Sequence, residues 1–283
     1  MGWLRMTMTS RLGRPASLLG AAAAFLLVST PVAAQESEET DNDDRGYTVT
    51  LGAGAQFSPE YPGADSLRFY PVPSIGLRRE GDPLTFEAPD EGWGFGFLGE
   101  DDVFDFGPAV QFEAKRREED VGAAVGDVDN SFEIGGFVEA MVIPDFFRLR
   151  AEGRKGLDGH EGWVGDLSAD FVLRDRDTYI FSIGPRARWS DNDYHDAYYS
   201  VTPAVAAATG LPAFDAGAGF YAVGVAAGLT YKLDRHWGLY GWAGYDRLID
   251  DAADSPIVRA FGSRDQFSAG FAIIYEFDIA DPF

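Results

Sequence analysis

The chain has 283 residues, with 46 Asp+Glu against 23 Lys+Arg, 34 Gly, 14% aromatic residues and no Cys. A polyanion of net charge −23 makes a poor nucleic-acid partner, because phosphate recognition depends on basic contacts. The lack of Cys excludes disulfides, thiolate metal sites and a lipoprotein anchor, while the Gly and aromatic content suits many turns and strands.

Residues 1–34 read as a secretory signal peptide. Arg5, Arg11 and Arg14 form a positive start without an acid, Leu18 to Val28 is apolar, and Pro31-Val32-Ala33-Ala34 offers small residues for cleavage before Gln35. That apolar run is 11 residues long, about half of the roughly 20 a spanning helix needs. Residues 35–46 are acidic and non-periodic, a flexible periplasmic lead-in.

From Tyr47 the dominant signal has period two, which marks strands. The expected strands are 47–57, 67–79, 84–89, 92–98, 103–116, 131–142, 146–155, 162–174, 178–189, 218–233, 236–248 and 266–277. Phe104, Phe106, Pro108, Val110, Phe112 and Ala114 share one face, opposite Asp105, Gln111, Glu113 and Lys115. Soluble strands usually run about five or six residues; these approach the roughly 9–11 of strands that cross a bilayer. Tight connections alternate with long ones, as in a barrel with short periplasmic turns and long external loops. The expected fold is therefore all-β, a transmembrane antiparallel up-and-down barrel over 47–283 with about 12 strands, and 10 or 11 if 84–98 is irregular.

The polar face of those strands would line the lumen. Arg148, Arg150 and Arg154 stand between Glu133 and Glu139 on the preceding strand and Asp166 and Asp170 on the next, followed by Arg186 and Arg188. Adjacent basic and acidic rows should pair across the wall. Counted over all strands, ten inward cations face eight inward acids, a nearly neutral lumen. Two readings stay open: a structural network that narrows the lumen, or an arginine-lined path that favours anionic solutes.

In the loop 190–217, Thr202-Pro203 followed by Ala204 to Ala208 and Gly210 reads as a capped short helix, and Ser255-Pro256 has the same logic. Both segments suit a lid or plug, or equally a packed external turn. Acidic pairs such as Asp250-Asp251 lack the spacing of a calcium loop, so no metal site is expected. His160, His195 and His236 lack zinc spacing and no nucleophile elbow occurs, so neither catalytic residues nor a cofactor are expected.

Several segments resemble the MltA-interacting protein/OmpV family of outer-membrane proteins. They are Gly52-Ala53-Gly54 with Pro59-Glu60-Tyr61-Pro62-Gly63, then Pro71-Val72-Pro73. Tyr198 to Pro203 with Gly210-Leu211-Pro212, then Asp254-Ser255-Pro256, and finally Tyr275-Glu276-Phe277 follow in the same order. The resemblance implies a Gram-negative outer-membrane location among lipid and lipopolysaccharide, and delivery by the barrel-assembly machinery through a terminal aromatic, Phe277 or Phe283. It further implies a scaffold for peptidoglycan-remodelling enzymes, with a murein synthase or lytic transglycosylase as partner. A porin-like channel and a surface adhesin are the alternatives.

Overall fold

The computed structural model describes residues 46–84, 86–98, 103–175 and 178–280. The expected signal peptide, the acidic lead-in up to residue 45 and Phe283 lie outside the described residues.

Alternation builds one antiparallel sheet of eleven strands. These are β1 Tyr47–Pro59, β2 Leu67–Arg79, β3 Trp93–Gly94, β4 Phe104–Glu113, β5 Ser131–Ile143 and β6 Phe147–Gly156. β7 Trp163–Asp175, β8 Tyr179–Ser190, β9 Gly219–Lys232, β10 Trp237–Leu248 and β11 Asp265–Ile279 complete it. Successive strands from β3 to β11 pair in order, and β1 then joins the last strand to β2 (Tyr47 opposite Ile279 on one side and Arg79 on the other). The sheet is thus an up-and-down meander curled so that its first and last strands meet. Its two ends are β2 and β3, between which no ladder forms among the described residues.

The two faces have the reverse of a soluble protein's polarity. Phe106, Leu149, Leu167, Ile183 and Phe271 are exposed on the outside, whereas Arg148 is 1% and Arg154 3% exposed on the inside. Apolar side chains face outward because the surrounding medium is hydrocarbon, and along each ladder the backbone groups are satisfied strand to strand. Among the described residues no helix is long and apolar enough to cross a membrane.

One expected strand is corrected. Residues 84–89 form no strand, and 92–98 shrinks to β3 with one further bond from the Phe97 N–H to the Phe106 carbonyl. Pro83 and Pro89 explain this, since each removes a ladder donor and prolines are confined to strand edges and ends. Leu84, Phe86 and Ala88 instead bury against Val172 and Ile180 on the lumen side of β7 and β8. The segment starts where the Arg174 guanidinium donates to the Leu84 carbonyl, near the β7–β8 turn. It climbs inside the wall and leaves it at Trp93, opposite Val110. The chain therefore climbs inside the lumen, descends along Trp93 to Leu98 antiparallel to β4 and climbs again along β4, which preserves the alternation of short turns and long loops with eleven strands.

The long loops carry five short helices: α1 Glu118–Val121, α2 Asn192–Tyr198, α3 Pro203–Thr209, α4 Asp250–Asp254 and α5 Pro256–Phe261. The helix expected after Thr202 is α3. The Thr202 hydroxyl accepts from the Val205 N–H, and Gly210 closes the helix at φ 77°, where a side chain would be strained. Ser255 departs from its expected capping role. Its hydroxyl donates to the Tyr199 carbonyl at 2.7 Å, because the loop that Tyr199 begins lies against it.

Candidate functional site

The inward arginines of β6 and β8 come together with carboxylates from four directions. Arg148 stands opposite Asp170 in the ladder and reaches it at 2.9 Å, meets Glu139 at 3.3 Å, and pairs closely with Glu91 of the inner segment. Its guanidinium also lies 4.5 Å over the Phe86 ring, a geometry that attracts a cation to the ring face. Arg150 pairs with Glu139 at 2.8 Å and with Glu152, and Arg154 with Glu133 and Asp166, each at 2.8 Å, and with Glu152.

On the neighbouring side, Arg186 bridges Asp90 and Asp170 at 2.8 Å each. Arg188 reaches Asp166 at 2.8 Å and both Asp90 and Asp246 at 3.1 Å. His160 extends the cluster upward: its Nδ1 accepts from the Gly162 N–H, so Nε2 carries the proton and donates to Glu133 at 3.0 Å. Within this cluster only about 20 Å³ stays open, on the order of one or two waters.

The nine charged residues named as pairing across the wall all lie in this cluster. Five partners join them: Glu152, Asp90, Glu91, Asp246 and His160. Asp90 and Glu91 were assigned to a wall turn rather than to an inner segment. In β10 apolar and aromatic residues occupy both faces, so alternation did not mark Asp246 as inward. Added to the whole lumen, Asp90, Glu91 and Asp246 leave ten cations against eleven acids, still close to neutral, but the acid is concentrated at the cluster. Five arginines now face nine carboxylates, counting Glu113 and Asp246 at the upper edge.

Above the cluster the external loops form a cap. Tyr194 and Tyr198 of α2, Tyr199 and Tyr221 pack ring to ring, with Tyr194 4.8 Å from Tyr198 and 5.3 Å from Tyr221 between centroids. Ala252, Ala253 and Val258 of α4 and α5 complete this core. Burial pushes the hydroxyls of Tyr194, Tyr198 and Tyr199 well above the ordinary phenol range and pulls the His195 imidazole down. Both ring nitrogens of His195 lack a hydrogen-bond partner among the described residues.

The family-motif loops meet in this cap. Tyr61 is buried with Val121, Val201 and Ile257, and Leu211 packs on them. Gly63 sits at φ 94°, and a side chain there would run into Val258. Its N–H donates to Gln266, which donates to the Ala64 carbonyl in turn. Glu60 accepts from Ser66 and Arg68, Pro59 and Pro62 are half-buried, Pro256 is buried, and Gly210, Pro212 and Asp254 face solvent. Arg68 also reaches Asp120 at 3.3 Å, which ties the first loop to α1 across the open seam. Acidic loop residues are likewise engaged locally: Asp191 caps α2 through the Tyr194 N–H.

Truncating a roof tyrosine should loosen the cap. For Tyr194→Ala we expect a loss of about 3 kcal/mol in local stability. Trypsin applied from outside should cut at Arg116 or Arg117 roughly tenfold faster or more; an unchanged cleavage rate would mean that the roof is held elsewhere.

Between cap and cluster lies a cavity of about 190 Å³, floored by Asp90, Glu91, Arg154 and Arg188 and roofed by Tyr194 and Tyr199. The lumen is therefore blocked twice, by the inner segment with its ion pairs and by the loop layer.

Comparison with solved structures finds barrels of similar outline at low similarity. A KdgM porin is 12% identical at a TM-score of 0.34, covering 81% of this chain and 99% of that one. The outer-membrane channel DcaP of Acinetobacter baumannii is 10% identical at 0.38, covering 82% and 97%. A NanC porin is 11% identical at 0.32, covering 81% and 98%. Similarities of this size carry nothing about solute or mechanism. No functionally curated protein matches the chain. The model of the family described as MltA-interacting protein MipA matches residues 51–277, nearly the whole described barrel with its capping loops, and the chain belongs to that family.

Proposed function

We propose that this chain is exported by its N-terminal signal to the outer membrane and works there as a closed barrel, an interaction protein of the cell envelope. The observation that carries this reading is the occluded lumen: residues 84–91 rise inside the wall, and Arg148, Arg150, Arg154, Arg186 and Arg188 are neutralised by carboxylates. An anion path needs guanidiniums that are free to exchange partners, and these are committed. The family description supports a partner among peptidoglycan-remodelling enzymes. The turns facing the periplasm are short, against about 800 Å² per partner in a stable interface, so the contact is weak or shared with the lead-in at 35–46.

Two measurements test this. In planar bilayers the refolded protein should show no steady openings; anion-biased conductance of the unaltered chain would install the porin reading instead. A pull-down from envelope extract should capture a murein synthase or lytic transglycosylase, and a capture set without any cell-wall enzyme would remove the scaffold role.

A further inference from the structure

We propose that the cavity between the cap and the arginine cluster is a binding site for a small aliphatic diamine in its doubly protonated form. The inference goes beyond the scaffold reading and does not depend on it.

The first ground is charge. Five arginines serve nine carboxylates in and around the cluster, and the surplus concentrates at the cavity. Glu113 of β4 lines it with neither an ion pair nor a hydrogen bond to any described residue. Asp246 of β10 gives one oxygen to Arg188, while its Oδ1 is buried without a partner. Both carboxyl groups are half-buried, Glu113 in no ion pair with any described residue and Asp246 sharing one guanidinium with other acids, so the cavity favours whatever cation fits it.

The second ground is the roof. Tyr199 is wholly buried at the cavity, and its hydroxyl has no partner. A buried hydroxyl left unmade costs about 1–3 kcal/mol, and an ammonium N–H would satisfy it. Tyr194, Tyr221 and Trp242 add aromatic walls, the surface that attracts organic cations.

Geometry then selects the ligand class. β4 and β10 stand six places apart in the sheet order, so Glu113 and Asp246 project from different walls. Among the described residues no three His, Asp or Glu side chains converge as a metal site would require. Two separated anionic points with apolar rings between them match two ammonium groups on a short methylene chain better than a compact divalent ion. The volume, about 190 Å³, accommodates a chain of four or five carbons.

Titration calorimetry of the folded full-length barrel in detergent, at constant ionic strength, tests the proposal with 1,4-diaminobutane as probe. Folding of each variant is checked by its altered gel mobility before boiling. The unaltered protein should bind the diamine saturably and ignore butane-1,4-diol. Glu113→Gln should weaken binding by roughly tenfold or more and Tyr199→Phe by roughly threefold, since the first removes an ion pair and the second only a hydrogen bond to a neutral acceptor. Neither replacement breaks an existing bond, so both variants should fold; Asp246→Asn gives a third, independent reading. Binding that is equally tight in Glu113→Gln, or that equal concentrations of Mg²⁺ displace fully, would place the diamine on the acidic outer loops and overturn the proposal. Absence of any saturable binding would overturn it as well.

Discussion

Exchanging residues 84–91 for eight Gly and Ser residues is expected to turn a silent barrel into one with stepwise, cation-biased openings. The inner segment holds its place by two means. Leu84, Phe86 and Ala88 bury against Val172 and Ile180, and Asp90 and Glu91 engage Arg148, Arg186 and Arg188. Keeping the length while removing both means leaves the connection from β2 to β3 intact but takes the acids out of the lumen. Without Asp90 and Glu91 the five arginines still face seven carboxylates, Glu113 and Asp246 among them, so the opened path favours cations as acidic rings do in pores. The cap should not prevent this, because its helices have only 4–7 residues and loop layers open locally at little cost. Planar-bilayer recording is the check. Asp90→Asn with Glu91→Gln should give brief, infrequent openings, since the apolar anchor remains. Silence of the fully exchanged but folded barrel would mean that the cap or the remaining pairs suffice to close it.

Those closures also mark the limit of what the sequence makes legible. A period of two with aromatics on one face reads directly as a lipid-facing wall, because each outward residue is set by its own position in the strand. The ladder partners Arg148–Asp170, Glu139–Arg150 and Asp166–Arg188 follow from short turns of known length. The inner segment was legible only in hindsight. Leu84, Phe86 and Ala88 alternate like a wall strand, and only Pro83 and Pro89 argue against one. The tyrosine roof left no periodic trace, since Tyr61 and Tyr199 come from two separate connections and Tyr221 from the start of β9, and they converge only when the barrel brings these ends together. Charge balance at the cluster suffered most. A count made strand by strand cannot include acids delivered from a loop that turns inward.

The largest stability effect should come from Arg148→Ala. Arg148 is 1% exposed and serves Glu91, Glu139 and Asp170 at once, so its removal leaves several carboxylates buried with too little counter-charge. Breaking a buried pair from one side costs about 3–5 kcal/mol, whereas Arg117→Ala, whose pair with Glu119 lies in solvent, should change almost nothing. The readout is the temperature at which the folded gel band disappears, together with urea unfolding in lipid vesicles. Combining Arg148→Met with Glu91→Gln and Asp170→Asn should restore much of the loss, because the stranded charges leave with the guanidinium and the methionine fills its volume over Phe86. If Arg148→Ala and Arg117→Ala melt alike, water reaches the cluster freely and the lumen is not dry. If the triple replacement is no better than Arg148→Ala, the arginine stabilises the barrel through its packing on Phe86 and the segment around it, more than through charge.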